Sequence, residues 1–175
     1  MTEYYDPLET RSAAERDKAL AAALPDLLTR AKARAPYFAE ALADFDPAAI
    51  TSRTALAALP VLRKSELTAR QKERPPFGDL TTMPLAELAR VFQSPGPIYE
   101  PQARRSDYWR FARAMHAAGF RRGELVHNTF AYHFTPAGHM FEAGAEALGC
   151  PIFPAGGGQT ELQVRAIADL RPICY

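Results

Sequence analysis

The stretch RVFQSPGPIYEPQARRSDYW, residues 90–109, contains residue types that could bind phosphate. An apolar run leads into a loop with Ser94 and Gly96, and hydroxyl and glycine N–H groups are ligands for phosphate oxygens. In the same loop, however, Glu100 adds an anion. Three further loop residues have no backbone N–H group to donate: Pro95, Pro97 and Pro101. The pattern therefore indicates a nucleotide site, a nucleotide site that has been lost, or only a turn.

A second set of candidates lies in HNTFAYHFTPAGHM, where aromatic residues alternate after a predicted strand. Side chains at the carboxyl end of a strand, ahead of a helix, lie where open α/β sheets bind ligands. Aromatic walls suit a planar or aryl substrate. We therefore predict a substrate-binding wall, although ordinary core packing would give the same pattern. Its members are Phe130, Tyr132, His133 and Phe134.

Three glycines precede a predicted helix in PAGGGQTELQV and form the third candidate: Gly156, Gly157 and Gly158. Glycines ahead of a helix N-terminus let the backbone approach an anion or a flat ring closely. The stretch is neither G-x-G-x-x-G nor a Walker loop. A flexible connection between strand and helix is the alternative interpretation.

Neither the histidines nor the arginines give a stronger candidate. His127, His133 and His139 do not share one helix face, and no cysteine or carboxylate completes a ligand set, so no metal site is predicted. A run of arginines indicates a solvated face, or a site for a phosphate-rich ligand such as coenzyme A. Its members are Arg104, Arg105, Arg110, Arg113, Arg121 and Arg122.

The elements that must position these residues fall into two regions. Residues 1–84 have helical patterns, beginning with a capping box of Ser12 and Glu15 ahead of an Ala/Leu-rich run. Pro25 predicts a kink in that run, or a division into two helices. Two short helices are expected further on, over residues 53–59 after the cap Ser52 and over residues 64–71.

Residues 85–175 alternate between strand and helix patterns. The first predicted strand, at residues 90–93, is followed by a helix at 107–118 capped by Ser106. The strand LVHNTF is followed by a helix that Thr135 caps and that ends near Gly149. The strand CPIFPA is followed by a helix that begins with a Thr160–Gln163 capping box and ends near Leu170. ICY, residues 173–175, has the pattern of a fourth strand.

This alternation predicts an α/β fold, with an incomplete and mainly parallel sheet flanked by helices. A parallel strand is normally buried on both faces and followed by a crossover. Because the last strand pattern ends at Tyr175, we expect a fragment of a longer protein. A complete small α/β domain with an edge strand at 173–175 is the alternative.

The composition bounds the function classes. A chain of 175 residues with 47% hydrophobic and 23% charged residues is expected to be globular, not disordered. The formal net charge of +1 gives no support for nucleic-acid or membrane-surface binding. The sequence has no signal-peptide pattern and no apolar run of ~20 residues. Cys150 and Cys174 form no C-x-x-C pair, so reduced thiols and a cytoplasmic location are expected.

Several blocks resemble, in order and spacing, the N-terminal part of the phenylacetate–CoA ligase family, a branch of the adenylate-forming acyl-CoA synthetases. They include YYDPLETR, LPVLRKSEL and RPPFGDL, and they are clearest in AAGFRRGELVHNTFAYHF and GAEALGCPIFPAGGGQTELQVRAIADLRP. The resemblance runs over nearly the whole chain. It implies a helical N-terminal region, 1–84, followed by a truncated α/β region, 85–175, of the family's large N-terminal domain.

The resemblance also implies a function. Such enzymes activate a carboxylic acid with Mg-ATP to an acyl-adenylate, release pyrophosphate and transfer the acyl group to coenzyme A. By resemblance, the aromatic candidates line an aryl-acid pocket, and the glycine turn with Gln159 and Thr160 lies next to it. The catalytic residues are expected beyond Tyr175. The fragment alone is therefore expected to be inactive and to hold no cofactor tightly, and the identity of the acid stays open.

The phosphate loop departs from the family pattern, which resembles SSGTTGKP. In QSPGPIYEP, Ser94, Gly96 and Pro101 stay in register, but Glu100 stands where the family has lysine. Two unit charges ~4 Å apart interact by roughly 1 kcal/mol in water and by ~4 kcal/mol at an effective dielectric near 20. Reversing one charge therefore opposes triphosphate binding, unless Glu100 points away or ligates Mg²⁺.

Two other functions stay open. One is a catalytically degenerate homologue that acts as a ligand-binding or interaction module. The other, a helical structural partner domain, explains nothing in residues 90–170. If the sheet is truncated at Tyr175, its open edge predicts a homodimer or a larger assembly.

Overall fold

The computed structural model describes residues 3–173, which form a mixture of helices and small sheets. The α-helices are α1 (Ala13–Arg34), α2 (Pro36–Ala41), α3 (Arg53–Ala57), α4 (Lys64–Glu73), α5 (Ala112–Ala117), α6 (Ala137–Leu148) and α7 (Thr160–Leu170). The strands are β1 (Leu88–Ser94), β2 (Ile98–Ala103), β3 (Val126–His127) and β4 (Ile152–Phe153). Short 3₁₀ helices lie at Pro7–Thr10, Pro47–Ala49 and Leu85–Glu87. Cys174 and Tyr175, on which the predicted fourth strand depends, lie outside the described residues.

The strands form two separate two-stranded sheets. β3 and β4 are parallel, with Val126 opposite Ile152 and His127 opposite Phe153, which confirms the predicted parallel pairing of these two segments. The strand predicted at residues 90–93 is part of β1, but it pairs with β2 and not with β3 or β4. The three residues between β1 and β2 are too few for a crossover connection, so this pair is antiparallel.

The chain divides into two compact units. The helical unit comprises residues 10–91 and 95–101, and the site unit comprises the residues up to 9, residues 92–94 and those from 102 onward. In the helical unit, α1 packs against α2. The buried apolar residues of this unit are Ala35, Leu42, Ile50, Phe77, Leu88 and Ile98. The predicted division between residues 84 and 85 stays a prediction.

The core of the site unit lies between α5, α6 and the two parallel strands. Apolar side chains from each of these elements contact one another there. The buried members of this cluster are Ala112, Met115, Val126, Ala145, Leu148 and Cys150. α6 ends at Gly149, as predicted, and this residue has the left-handed conformation (φ 78°) that closes many helices. The core therefore fixes both strands from one side.

Local patterns give mixed results in the helical unit. The Ser12–Glu15 capping box is present at the start of α1, as predicted. α1 continues through Pro25 as one helix, so a division into two helices is wrong. Ser52 caps α3, as predicted, although this helix ends at Ala57, two residues before the predicted end. α4 continues two residues beyond its predicted end, to Glu73.

The helix predicted at residues 107–118 is wrong in its first part. Asp107 and Arg110 have left-handed backbone conformations (φ 42° and 57°), so the helix cannot begin before them. Instead the carboxylate of Asp107 accepts hydrogen bonds from the backbone N–H groups of Phe111 (2.7 Å) and Ala112 (3.2 Å) at the start of α5. Asp107, and not Ser106, therefore provides the cap.

The caps predicted for the next two helices are also wrong. α6 begins after Pro136, and no side chain caps it. α7 begins after Gln159, again without a side-chain cap, although it ends at Leu170 as predicted. Gln163, the predicted partner of Thr160 in a capping box, forms other hydrogen bonds that belong to the site.

Candidate functional site

Asn128, the first residue after β3, organises the aromatic segment. Its side chain is buried, and its amide nitrogen donates to the Tyr132 hydroxyl oxygen (2.7 Å) and to the carbonyl of Gly138 in α6 (2.9 Å). Its amide oxygen accepts from the backbone N–H of Phe130 (3.1 Å), which is an Asx turn. One buried side chain therefore holds residues 129–134 against the start of α6.

Asn128 also connects the aromatic segment to the glycine turn, residues 156–158. The backbone N–H of Gly156 donates to the Asn128 carbonyl (3.0 Å). A Cβ atom placed on Gly156 would lie 4.0 Å from Cδ2 of Tyr132, so the turn borders the tyrosine ring. Two of the predicted substrate-binding elements thus lie side by side at the carboxyl ends of β3 and β4.

Gly138 makes this arrangement sterically possible. A Cβ atom at this position would lie 2.8 Å from the carbonyl oxygen of Ala131 and 3.0 Å from Cγ of Tyr132. The first distance is shorter than real Cβ atoms show, and the second is tighter than most real Cβ contacts. The backbone N–H of Gly138 also donates to the Ala131 carbonyl (3.1 Å). The aromatic segment can therefore approach α6 this closely only because residue 138 has no side chain.

The hydroxyl of Tyr132 stays protonated over the physiological range. Burial, together with the nearby carboxylate of Glu142, raises the pKa of Tyr132 to about 12, and the hydrogen bond from Asn128 only partly opposes this. The ring also contacts His139 edge to face, with 5.0 Å between ring centroids. Tyr132 therefore presents a neutral side chain at the candidate site.

The other aromatic candidates face different surroundings. The predicted strand ends at His127, so the alternation from residue 130 to 134 does not place these side chains on one face. Phe130 stacks on Phe141 (4.5 Å, 14°), whereas Phe134 is 77% exposed. The backbone of Phe134 is left-handed (φ 58°), and its carbonyl accepts from the N–H of Gln93 in β1 (2.9 Å). His133 is exposed.

That hydrogen bond brings the end of β1 to the aromatic segment. Gln93 immediately precedes Ser94, the last residue of β1 and the first of the predicted phosphate-loop residues. Gly96 and Glu100, the other two, belong to the helical unit. Within the site unit, Ser94 is therefore linked through its neighbour Gln93 to the aromatic segment.

The loop itself is the tip of the β1–β2 hairpin, and its carbonyl groups are held from α4. The Thr68 hydroxyl donates to the carbonyls of Gly96 (3.3 Å) and Pro97 (3.5 Å). A Cβ atom on Gly96 would lie 3.0 Å from Cγ1 of Ile98, so packing within the hairpin already favours a glycine. Pro95 and Pro97 lie in this loop, whereas Glu100 and Pro101, predicted as loop residues, belong to β2.

An apolar cavity of about 550 Å³ lies elsewhere, in the helical unit. Its lining is almost entirely aliphatic and aromatic, from α1, α2, α3 and the segment after α3, and includes Leu28, Phe38, Leu59 and Leu62. No charged side chain lines it to orient a carboxylate among the described residues. The cavity is therefore a poorer candidate for acid binding than the site at the strand ends.

Two of the predicted surface arginines have structural partners. Arg113 forms ion pairs with Asp6 and with Glu9 (3.1 Å to Glu9). Arg121 donates to the carbonyls of His116 (2.6 Å) and Phe120 (2.9 Å). Within residues 3–173, no three His, Cys, Asp or Glu side chains are grouped to hold a metal ion, and no helix is long and apolar enough to span a membrane.

Three residues important for this site escape sequence reasoning: Asn128, Gly138 and Gln163. An asparagine directly after a strand is a signal for an Asx turn, and it could have identified Asn128. Gly138 lies inside a helix, where a glycine lowers helix propensity and thus suggests a packing reason. Nothing in the local sequence distinguishes Gln163 from a helix-capping residue, because its partner His127 lies 36 residues away.

Comparisons with known proteins identify relatives of the chain. A phenylacetate–coenzyme A ligase of Thermus thermophilus is 35% identical over 148 residues, which are 79% of this chain and 32% of that protein. A phenylacetate–coenzyme A ligase of Pseudomonas putida is 31% identical over 176 residues, with 95% and 39% covered. No family model matches the chain. The chain spans between about a third and two fifths of the length of these relatives.

Solved structures give the same result. The crystal structure of 2-hydroxyisobutyryl-CoA ligase in complex with 2-HIB-AMP matches 98% of this chain with a TM-score of 0.89 and 30% identity, and 38% of that protein is covered. The same ligase in complex with 2-HIB-AMP and CoA in the thioesterification state matches with a TM-score of 0.83. The predicted fold class, a mixed α/β chain that matches the N-terminal part of adenylate-forming ligases, is confirmed.

Proposed function

We propose that the chain, which belongs to the phenylacetate–coenzyme A ligase family and is homologous to the N-terminal part of its members, carries the carboxylic-acid pocket of an acid–coenzyme A ligase. In a longer protein of this family, an aryl or related acid is activated with ATP and Mg²⁺ to an acyl-adenylate, and the acyl group is then transferred to coenzyme A. The chain alone binds the acid and does not turn it over.

The observation that supports this proposal best is the Asn128 bridge. It holds the Tyr132 ring and the glycine turn next to each other, at the strand ends where α/β folds bind ligands. The ring offers an apolar wall, and the turn offers backbone without side chains. Such a combination suits a small planar acid.

Charge at the site sets the orientation of the acid. Glu142 lies near the Tyr132 hydroxyl, and a second carboxylate there would be repelled. The neutral Tyr132 hydroxyl adds no negative charge of its own. We therefore place the apolar end of the acid against Tyr132 and its carboxylate away from Glu142.

Calorimetry of phenylacetate against the 175-residue chain tests the pocket. We expect binding heat at millimolar acid, and loss of that heat in Tyr132→Ala. Tyr99→Ala is the matched control, since Tyr99 is a half-exposed tyrosine in the helical unit, and it should bind acid like wild type. A folded wild-type chain that gives no heat would contradict the proposal.

The loop geometry favours a second candidate, a homologue that binds acids but has lost the use of ATP. Its support is the hairpin tip, where Thr68 holds two carbonyls and prolines replace N–H donors. ATP–pyrophosphate exchange with a panel of aryl acids, in a protein that also contains the rest of the family's fold, separates the two. Exchange supports the ligase, whereas acid binding without exchange supports the binding module.

We also propose a cytoplasmic location and a homodimer or larger assembly. The location rests on the sequence, in which Cys150 and Cys174 form no C-x-x-C pair. The assembly is consistent with the β3–β4 sheet, which has two strands within the described residues and hence unpaired edges. Light scattering that finds only monomer would contradict the assembly.

A further inference from the structure

Gln163 connects the glycine turn to a buried histidine. Its amide nitrogen donates to the carbonyls of Gly156 (3.0 Å) and Gly158 (2.5 Å). Its amide oxygen lies 3.1 Å from Nε2 of His127, the last residue of β3. His127 is 1% exposed and stacks on Phe153 of β4 (5.1 Å, 25°). One side chain on α7 thus reaches the turn and the end of the parallel sheet.

The chemistry of these groups fixes the direction of every hydrogen bond. Backbone carbonyls only accept, so the end of the Gln163 amide that faces Gly156 and Gly158 must be its NH₂ group. The other end is then an oxygen, which also only accepts, so Nε2 of His127 must donate. The Nδ1 atom of His127 is buried and has no hydrogen-bond partner within residues 3–173, so it needs no proton. The neutral ring is therefore the Nε2–H tautomer.

We propose that Gln163 is the positioning residue of the substrate turn, and that His127 sets the direction of its amide. This inference rests on the proposed function, in which the turn borders the bound acid. With the NH₂ group directed toward the turn, the carbonyls of Gly156 and Gly158 are held toward α7. If the Gln163 amide were reversed, its oxygen would face the carbonyl oxygens of Gly156 and Gly158 and be repelled by them.

The consequence for the turn follows from peptide geometry. In a trans peptide the N–H points opposite to the preceding C=O. Because the carbonyls of Gly156 and Gly158 point to Gln163, the N–H groups of Gly157 and Gln159 point away from it. The N–H of Gly156 is already bonded to the Asn128 carbonyl. Gln163 and Asn128 thereby fix the turn from opposite ends, and the remaining amides report its shape.

Nuclear magnetic resonance on the full 175-residue chain tests the inference without any ligand. In the wild type, the ring nitrogens of His127 should show the Nε2–H tautomer, with the Nε2 proton protected from exchange. Gln163→Glu keeps the shape of the side chain but removes both donors. We expect large shifts of the Gly157 and Gln159 amides. Exchange of the Gly156 amide should be faster by about tenfold or more, because both hydrogen bonds from Gln163 to the turn are lost.

Ala168→Glu is the matched control, since it adds the same charge at an exposed position of α7. It should leave the His127 tautomer and the turn amides as in wild type. Phenylacetate affinity should fall by about fivefold or more in Gln163→Glu and stay unchanged in Ala168→Glu.

The outcomes separate the two proposals. A proton on Nδ1 of wild-type His127, or unchanged turn amides in Gln163→Glu, would overturn the positioning role. The tautomer needs only wild-type protein, so it decides the question even if Gln163→Glu does not fold. If the wild type binds no acid, the proposed function fails, while the tautomer and amide shifts still judge whether Gln163 fixes the turn.

Discussion

Gly138→Ala tests the close approach on which the candidate site depends. The new methyl group would lie 2.8 Å from the Ala131 carbonyl oxygen and 3.0 Å from Cγ of Tyr132. The first of these is backbone, which cannot rotate away, so residues 130–132 or the first turn of α6 must move. Such movement also lengthens the bond from Asn128 to the Gly138 carbonyl, now 2.9 Å.

The expected cost is that of overpacking, about 1–3 kcal/mol of unfolding free energy. For a chain of this size, each kcal/mol lowers the melting temperature by about 2–4 °C. The gain in helix propensity from glycine to alanine, about 1 kcal/mol at most, opposes this loss but applies to an unstrained helix. We therefore expect a net destabilisation, accompanied by weaker phenylacetate binding because Tyr132 is displaced.

Trp109 provides the assay, since it is the only tryptophan of the chain and lies in the same unit as Gly138. Urea unfolding followed by its fluorescence reports the stability of that unit. Gly157→Ala is the control, because a Cβ atom there would meet no described atom within 4 Å. If Gly138→Ala is as stable as Gly157→Ala, the steric reasoning is refuted.

Three further outcomes are expected. Tyr132 should ionise at about pH 12, and Tyr132→Phe should remove a step in tyrosinate absorbance near that pH. Since the folded pKa of Tyr132 exceeds the ordinary value of 10.0, its contribution to stability is complete below about pH 10 and is lost as the pH rises through about 12. Gln71→Leu should lower the free energy of unfolding in urea by about 1–3 kcal/mol, because the buried Gln71 amide forms hydrogen bonds with both the N–H and the carbonyl of Tyr99 (2.8 Å each). Lys72→Ala, at an exposed position, should change it by less than about 0.5 kcal/mol. Lys32→Met should cost about 1 kcal/mol in the same assay, since the Lys32 ammonium donates to the carbonyls of Ala43 (3.1 Å) and Phe45 (2.8 Å); an unchanged midpoint would mean that water replaces it fully.

Sequence reasoning succeeds where neighbours along the chain decide the structure. The Ser12–Glu15 capping box needs only residues three apart, and the left-handed end of α6 needs only Gly149. The α/β class follows from the same kind of pattern, because the alternation of apolar runs and helical faces is local. These features are predicted correctly for that reason.

Prediction from the sequence fails where residues distant along the chain determine the structure. β2 contains Glu100 and Pro101, which locally indicate a loop, yet the pairing with β1 and the Gln71 amide hold it as a strand. The side chain of Gln163 has the right spacing from Thr160 for a cap, but its partners are His127 and the glycine turn. The start of α5 depends on the left-handed backbone of Asp107 and Arg110, which the sequence SDYWR does not indicate.

In the candidate site, too, some positions are predicted from the sequence and others are not. Tyr132 and Gly156, predicted from residue type and resemblance, do lie together. Their common support, Asn128, has no signal beyond its place after a strand. The sequence predicts Phe134 in the same wall, but its backbone turns it toward solvent. Whether these residues bind an acid stays a prediction.

The shortness of β3 and β4 has a consequence for folding kinetics. Each strand has two residues, and the pair is flanked by few backbone bonds, among them Val126 N–H to Pro151 and Asn128 N–H to Phe153 (2.9 Å each). Joining these strands requires closure of the whole segment that contains α6, at an entropic cost that so few bonds cannot offset. We therefore expect docking of α5 on α6 to come first and the strands to pair late. Weakening this pair would then speed unfolding while leaving the folding rate nearly unchanged.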